Sequence, residues 1–254
     1  MYALAEGPPA TLETRPGSTE PTGSDVGIVR ISGLLAAEAD QLCGWWDGYG
    51  GEEGLVARFI ETITAPEVGA VALLVKSPGG TSDGLEEGVR RMVQARDETG
   101  KPVVVYFDQA GSAAYWIAAC LATHGIYGPI ASSAGSVGSY IPHEDFSGAL
   151  AIAGIVETLI ADPPGKVAGA GSHPLDPLGL SRLQRGVFAC TARFVAAVST
   201  ARGLTPEAVR ALDADMLPSD LAFAAGLTDG PGSLEDVLAL AASLAANPLA
   251  WSLA

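Results

Sequence analysis

The sequence predicts an α/β protein built on parallel strands, and two strand-turn-helix repeats carry that prediction. Residues 71–75 and 103–107 are short, continuous apolar runs rich in β-branched side chains, as strands buried on both faces are. Each leads through small residues into helical spacing. Leu85, Val89, Met92 and Val93 follow the first, and Ala113 to Ala119 follow the second. Strand, turn and helix repeated in this order imply parallel neighbours joined by crossover helices. A chain of 254 residues is long enough to bury a sizeable core around them.

The other elements follow in order. Residues 26–31 form the first expected strand, closed by Ser32 and Gly33. Residues 34–51, with Trp45, Trp46 and Tyr49 among glycines, are expected to be loop or short helix. Leu55, Val56, Phe59, Ile60 and Ile63 lie at helical spacing, so a helix is expected over 52–64, stopped by Pro66. The strand at 68–75 runs into Ser77-Pro78-Gly79-Gly80, expected as a turn, and the helix from Leu85 closes at Gly100. The strand at 103–107 is broken by residues 108–111, and a helix starts at Ser112. Beyond it are expected a short strand near 125–130, a small-residue loop at 132–139, a helix over 144–153 and a strand over 155–160. Residues 180–202 read as a long amphipathic helix ended by Gly203. Thr205 caps a helix with Pro206 in its first position, a short helix covers 218–225, and Ser233 with Asp236 opens the last helix, to 246.

The chain carries a net charge of −15 and has a pI near 4.4. That balance argues for solubility and against nucleic acid or anionic membranes as partners. The N-terminus has no basic segment before an apolar core, so no signal peptide is expected, and no apolar run is long enough to predict a membrane span. Cys43, Cys120 and Cys190 have no metal-ligand spacing and are read as reduced thiols. No metal and no cofactor is expected. The expected organisation is a flexible arm over 1–25, rich in Pro, Gly, Ser, Thr and Glu, one domain over 26–230, and a C-terminal helix and tail over 231–254.

Three features can carry chemistry. The glycines of Ser77-Pro78-Gly79-Gly80 let the backbone approach a ligand, or simply make a βα turn; neither GxxxxGK[ST] nor GxGxxG is present. Ser112 sits at a helix N-terminus, where free N–H groups can hold an oxyanion, so it is either an N-cap or a nucleophile. Lys166 lies in a Pro- and Gly-rich loop and reads alone as a solvated lysine, although only Lys76 and Lys101 accompany it in the chain. The run Ala110-Gly111-Ser112-Ala113-Ala114 is not a GxSxG elbow, and no context singles out His124, His143 or His173.

Four motifs in order resemble the signal peptide peptidase A family of serine peptidases, and within it the tailed-phage head-maturation, protein C-like members. They are Ser77-Pro78-Gly79-Gly80, the segment from Gly111 to Ala118, Gly135-Ser136-Val137-Gly138, and the stretch from Thr158 through Gly165-Lys166-Val167. The similarity runs from about Val26 to Leu227. It implies a crotonase/Clp-peptidase-like spiral of repeated ββα units with outer helices. It implies a Ser-Lys dyad, with Ser112 as nucleophile and Lys166 as general base. It further implies an oxyanion hole from the N–H groups of Gly80 and Ala113, and Ser136 holding the lysine amine. A lysine accepts a proton only when neutral, a state that burial favours; the apolar, Pro-rich loop with bound substrate as a lid would provide it. The local departures are Gly111 and Ala114 beside the nucleophile and Pro163-Pro164-Gly165 before the lysine.

The expected function is therefore a serine endopeptidase that cuts phage scaffold, capsid or portal proteins, and itself, in the host cytoplasm or prohead. Its partners are a protein or peptide substrate and further copies of the chain in a ring or dome, with residues 180–202 as the candidate contact. The chain ends soon after Ala246, so a scaffold region following the peptidase is expected to be absent or removed. The alternatives are a cytosolic signal-peptide-peptidase-like protease, a crotonase-fold acyl-CoA enzyme, or a catalytically inactive structural homologue.

Overall fold

The structure, a computed structural model, describes residues 23–37, 46–48 and 54–247. The expected arm lies almost wholly outside them, as do Cys43, Trp45 and Tyr49. The elements are β1 (Asp25–Ala36), β2 (Trp46–Gly48), α1 (Leu55–Thr64), β3 (Val68–Gly80), α2 (Leu85–Thr99), β4 (Val103–Gly111) and α3 (Ala113–Leu121). They continue as β5 (Ile126–Gly128), β6 (Ser133–Gly135), α4 (Ser147–Ile152), α5 (Pro177–Arg202), α6 (Pro206–Ala211), β7 (Met216–Pro218), α7 (Ser219–Ala224), β8 (Gly230–Pro231) and α8 (Leu234–Ala246). The chain divides into two compact units: the described residues up to Val137 together with those from Ala197, and residues 138–196.

The first unit is the α/β fold expected. Its strands run in the order β2-β1-β3-β4-β5-β8, all parallel along that path. β4 divides its partners: Val105 and Tyr106 pair with β5, while Gln109, Ala110 and Gly111 pair with β6. The apolar runs at 71–75 and 103–107 form the centre of this sheet and are almost wholly buried. Ala70, Ala72 and Val104 share a face and pack against Val237, Ala241, Leu244 and Ala245 of α8. Small and β-branched residues on that face let the helix come close. The capping box expected at Ser233 and Asp236 is formed, as is the Thr205 cap.

A polar clamp ties the C-terminal strand to the sheet. Arg202 donates two hydrogen bonds to Asp229, each 2.9 Å, and its Nε donates to the Gly226 carbonyl. Asp229 also accepts the Ile126 N–H at 2.8 Å. The Tyr115 hydroxyl donates to the Leu227 carbonyl at 2.7 Å, so this segment also anchors α3. Burial pushes the Tyr115 hydroxyl above its usual range and the Cys120 thiol up to about 11, which leaves Cys120 an inert core residue.

Several expectations change. β1 and β4 are longer than residues 26–31 and 103–107, and Ser77 to Gly80 belong to β3; the turn into α2 is formed by residues 81–84 instead. Strand pairing overrides local breaker signals here, at the cost of bulges between Ser32 and Leu34 and beside Val75. β7 pairs antiparallel with β6 and was hidden by its three-residue length.

In the second unit, α4 covers only Ser147–Ile152, and α5 starts at Pro177, where Asp176 accepts the Gly179 N–H at 2.7 Å. Ser139 donates to the Val187 carbonyl at 3.0 Å and meets the Thr191 hydroxyl at 2.8 Å. The strand expected over 155–160 is absent. The segment pairs with no strand among the described residues, and Val156 and Ile160 are 92% and 94% exposed. Its β-branched residues favour a pleated surface, but a strand needs a neighbour to satisfy its backbone.

Candidate active site

Ser112 joins the end of β4 to α3 in a conformation that side chains rarely adopt, with φ 48° and ψ −122°. An N-cap residue normally has extended angles and accepts a helix N–H through its side chain. Ser112 has neither feature: its side chain makes no cap hydrogen bond. Its N–H donates to the Gly135 carbonyl at 2.9 Å, and its carbonyl accepts from Trp116 at 3.0 Å. The main chain is thus held at both ends while the half-buried hydroxyl is left for other work. Behind it, Ala113 to Ala119 are buried, which fixes the helix start.

β3 crosses directly over this elbow. A Cβ added to Gly79, at φ +104°, would stand 2.7 Å from the Ser112 Cβ, 2.8 Å from the Gly111 carbonyl and 3.0 Å from the Ala113 nitrogen. A Cβ on Gly111 would stand 2.7 Å from the Pro78 carbonyl. Gly80 pairs with Leu35, whose carbonyl accepts the Thr81 N–H at 2.9 Å. Glycine is therefore required here by the approach of two backbones, where the sequence suggested only a turn or a ligand cradle. Gly79→Ala is expected to lower stability by about 2–4 kcal/mol, from overpacking plus backbone strain. Gly100→Ala is the control: it shares a positive φ, +65°, but nothing lies within 4 Å of its added Cβ. Urea midpoints of both variants measure the steric part by difference.

Ser136 lies one residue beyond β6 and also has positive φ, 57°. Gly111 and Gly135 are direct partners in the sheet, so the Ser136 and Ser112 segments are brought together. The Ser136 N–H donates to the Asp215 carbonyl at 2.8 Å. Asp215 follows Asp213 and Ala214, which have φ 49° and 56°. The turn before β7 is thus a support for Ser136 that none of the four motifs contains. No sequence signal marks it beyond the short polar Asp213 and Asp215.

The first unit brings Ser112, Gly80, Ala113 and Ser136 into one neighbourhood. Lys166 belongs to the second unit, in a 3₁₀ turn over Pro164–Val167, with its N–H donating to the Pro163 carbonyl at 2.9 Å. Its side chain is exposed in the chain alone. Arg182 donates to the Gly165 carbonyl beside it. The histidines have other surroundings: His124 bonds the Thr123 hydroxyl at 2.9 Å, and His173 the Ser172 hydroxyl at 3.1 Å.

Comparison with known proteins agrees with this architecture. The chain is 26% identical to the head-tail preconnector protein GP5 of Enterobacteria phage P21 over 90% of its length, covering 45% of that protein. It is 30% identical to Protease 4 of Salmonella typhi over 88% of its length, covering 35% of that protein. It is 26% identical to the capsid assembly protease C of Escherichia phage lambda over 80% of its length, covering 46% of that protein. The chain thus spans less than half the length of these relatives. Among solved structures, a mutant of the 1510-N membrane-bound stomatin-specific protease matches 84% of this chain and 82% of its own, with TM-score 0.50 and 15% identity. That likeness bears on the fold alone. The model of peptidase family S49 matches residues 95–247, a span that begins before β4 and ends after α8. The chain belongs to peptidase family S49, the serine-peptidase family its motifs resembled.

Proposed function

We propose that the chain is an endopeptidase in which Ser112 is the nucleophile and Lys166 its general base. The observation that carries this reading is the strained Ser112 elbow, whose hydroxyl does not cap the helix it precedes. Strained backbone is retained where the surrounding structure over-determines it, and such places cluster at active sites.

In the proposed reaction the Ser112 hydroxyl oxygen attacks the scissile carbonyl carbon while its proton passes to the lysine amine. The carbonyl oxygen becomes an oxyanion, which the N–H groups of Gly80 and Ala113 receive. Thr81 turns its N–H toward β1, so strand alternation turns the Gly80 N–H toward the opposite edge, where β4 ends. Ala113 is the first residue of α3, and its N–H has no intrahelical partner. Each such donor is worth roughly 3 kcal/mol in the transition state. The lysine returns its proton to the departing amine as the C–N bond breaks. Water, deprotonated by the same lysine, then releases the acyl group from Ser112. Ser136 accepts a hydrogen bond from the amine and orients it. Because Lys166 is exposed in the free chain, the base role requires that bound peptide or a neighbouring copy cover it.

The substrate reading extends to phage scaffold, capsid and portal proteins, and to the chain itself. It is supported by the names of two relatives, a capsid assembly protease and a head-tail preconnector protein. Among the described residues no helix is long and apolar enough to cross a membrane, which fits action in the host cytoplasm or prohead. Incubation with casein, with products mapped by mass spectrometry, tests endopeptidase activity. Internal cleavages absent from the Ser112→Ala control support it, and intact casein overturns it.

The reading includes self-association. Residues 138–196 hold most of the exposed large hydrophobics among the described residues, with Tyr140, Ile152, Val156, Ile160 and Phe188 each at least 66% exposed. Exposed apolar side chains gathered in one unit mark an interaction surface, and a further copy of the chain is the occupant this reading assigns to it. Val156→Asp is expected to shift the species seen by light scattering to a smaller assembly. An unchanged mass, or a monomeric wild type, contradicts self-association through this unit.

A further inference from the structure

We infer that Ser77 is a positioning residue that helps set the oxyanion donor through its hydrogen bond to the Gly79 N–H; the inference rests on the Ser112 reading above. Pro78 has no N–H to give to the ladder. Around it the register slips: Ser32 is opposite Lys76, and the next pair is Leu34 with Gly79. β1 thus advances by two residues where β3 advances by three. This is a bulge: Gly33, Ser77 and Pro78 are passed over, and pairing resumes at Gly79. A buried N–H without an acceptor costs about 1–3 kcal/mol. Gly79 is buried, and its N–H is supplied by its own chain: the Ser77 hydroxyl oxygen accepts it at 3.1 Å. Ser77 is itself completely buried at 0% exposure.

What this bond holds is the peptide unit nearest the nucleophile. Gly79 has φ +104°, and its α-carbon faces the Ser112 Cβ and the Ala113 nitrogen. The bond holds the Pro78–Gly79 peptide and so restricts where the peptide after Gly79 can point. That peptide carries the Gly80 N–H. The ladder has resumed there, with Gly79 opposite Leu34 and Gly80 opposite Leu35, and beyond it Thr81 donates to Leu35 at 2.9 Å. The donor peptide is therefore clamped between a side-chain rung at Ser77 and a main-chain rung at Thr81. Without Ser77 the Gly79 N–H loses this buried acceptor, and glycine has the freedom to rotate. Ser77 touches neither substrate nor nucleophile in this account; it acts through Gly79 and Gly80.

Ser77→Ala is expected to lower kcat by roughly 10- to 100-fold, a fraction of the 10²–10³-fold lost when such a donor is removed outright. KM should change little, because the oxyanion forms only in the transition state. The assay uses a fluorogenic peptide spanning a mapped casein cleavage site, with active sites counted by fluorophosphonate titration so that unfolded protein does not enter kcat. Ser77→Thr, which keeps the hydroxyl, should recover most of the rate, and Ser77→Cys, with a weak acceptor, should lie between. A Ser77→Ala protein with lowered melting temperature but wild-type kcat per active site would overturn the inference and leave the Ser112 reading standing. An inactive wild type that the probe does not label would overturn both.

Discussion

Ser112→Ala is expected to reduce peptide hydrolysis by about 10⁴-fold or more while leaving stability within roughly 0.5 kcal/mol of wild type. The pairing of those results separates two roles for this serine. As an N-cap its loss would cost about 0.5–2 kcal/mol and spare any chemistry elsewhere. Its side chain makes no cap bond, so alanine removes no helix stabilisation. Alanine also keeps the main-chain bonds to Gly135 and Trp116. What alanine removes is the hydroxyl, and with it the covalent route. Progress curves with the fluorogenic peptide and thermal melts measure both quantities on one preparation. A variant that hydrolyses normally, or that unfolds, contradicts the assignment.

Lys166→Ala is expected to be equally severe, because a nucleophile and its base act as one unit and the loss of either removes most of the catalysis. The lysine is exposed and sits in a short turn, so the substitution should barely move the unfolding midpoint. Lys166→Arg sharpens the test. Arginine keeps the positive charge and the length but does not give up its proton. If the lysine served only to bind an acidic substrate, arginine would work. If it is the base, arginine should be as inactive as alanine, with hydrolysis lowered about 10⁴-fold in both. Activity retained by Lys166→Arg would remove the lysine from the dyad.

Much of the fold was legible because two parallel strands are buried on both faces, so residues 71–75 and 103–107 read as unbroken apolar runs. Helix caps were legible too: Ser233 with Asp236, and Thr205 before Pro206, act over three residues and need no tertiary partner. The extent of β3 was not. Pro78 and two glycines look like a turn locally, and only pairing with β1 keeps them in the sheet. The opposite failure occurred at 155–160, where β-branched residues promised a strand and the segment pairs with no strand among the described residues. At the site, Ser112 stood out in sequence because it lies where a strand gives way to a helix, whereas Gly80 stood out only within the Ser77-Pro78-Gly79-Gly80 motif and owed its donor role to the family resemblance. The supports stayed hidden: Ser77 acts through a buried side chain, and Asp215 reaches Ser136 through a carbonyl from 79 residues away (215 − 136). Main-chain contacts of that kind leave no mark on residue type.

Covalent labelling distinguishes a Ser112 nucleophile activated by Lys166 from a serine without that role. Wild type, Ser112→Ala and Lys166→Ala are incubated with a fluorophosphonate probe and followed by intact-protein and peptide-level mass spectrometry. One adduct per wild-type chain is expected, located on Ser112, with none on Ser112→Ala and labelling of Lys166→Ala slowed by orders of magnitude. No adduct on wild type, or an adduct that persists in Ser112→Ala, would contradict that role.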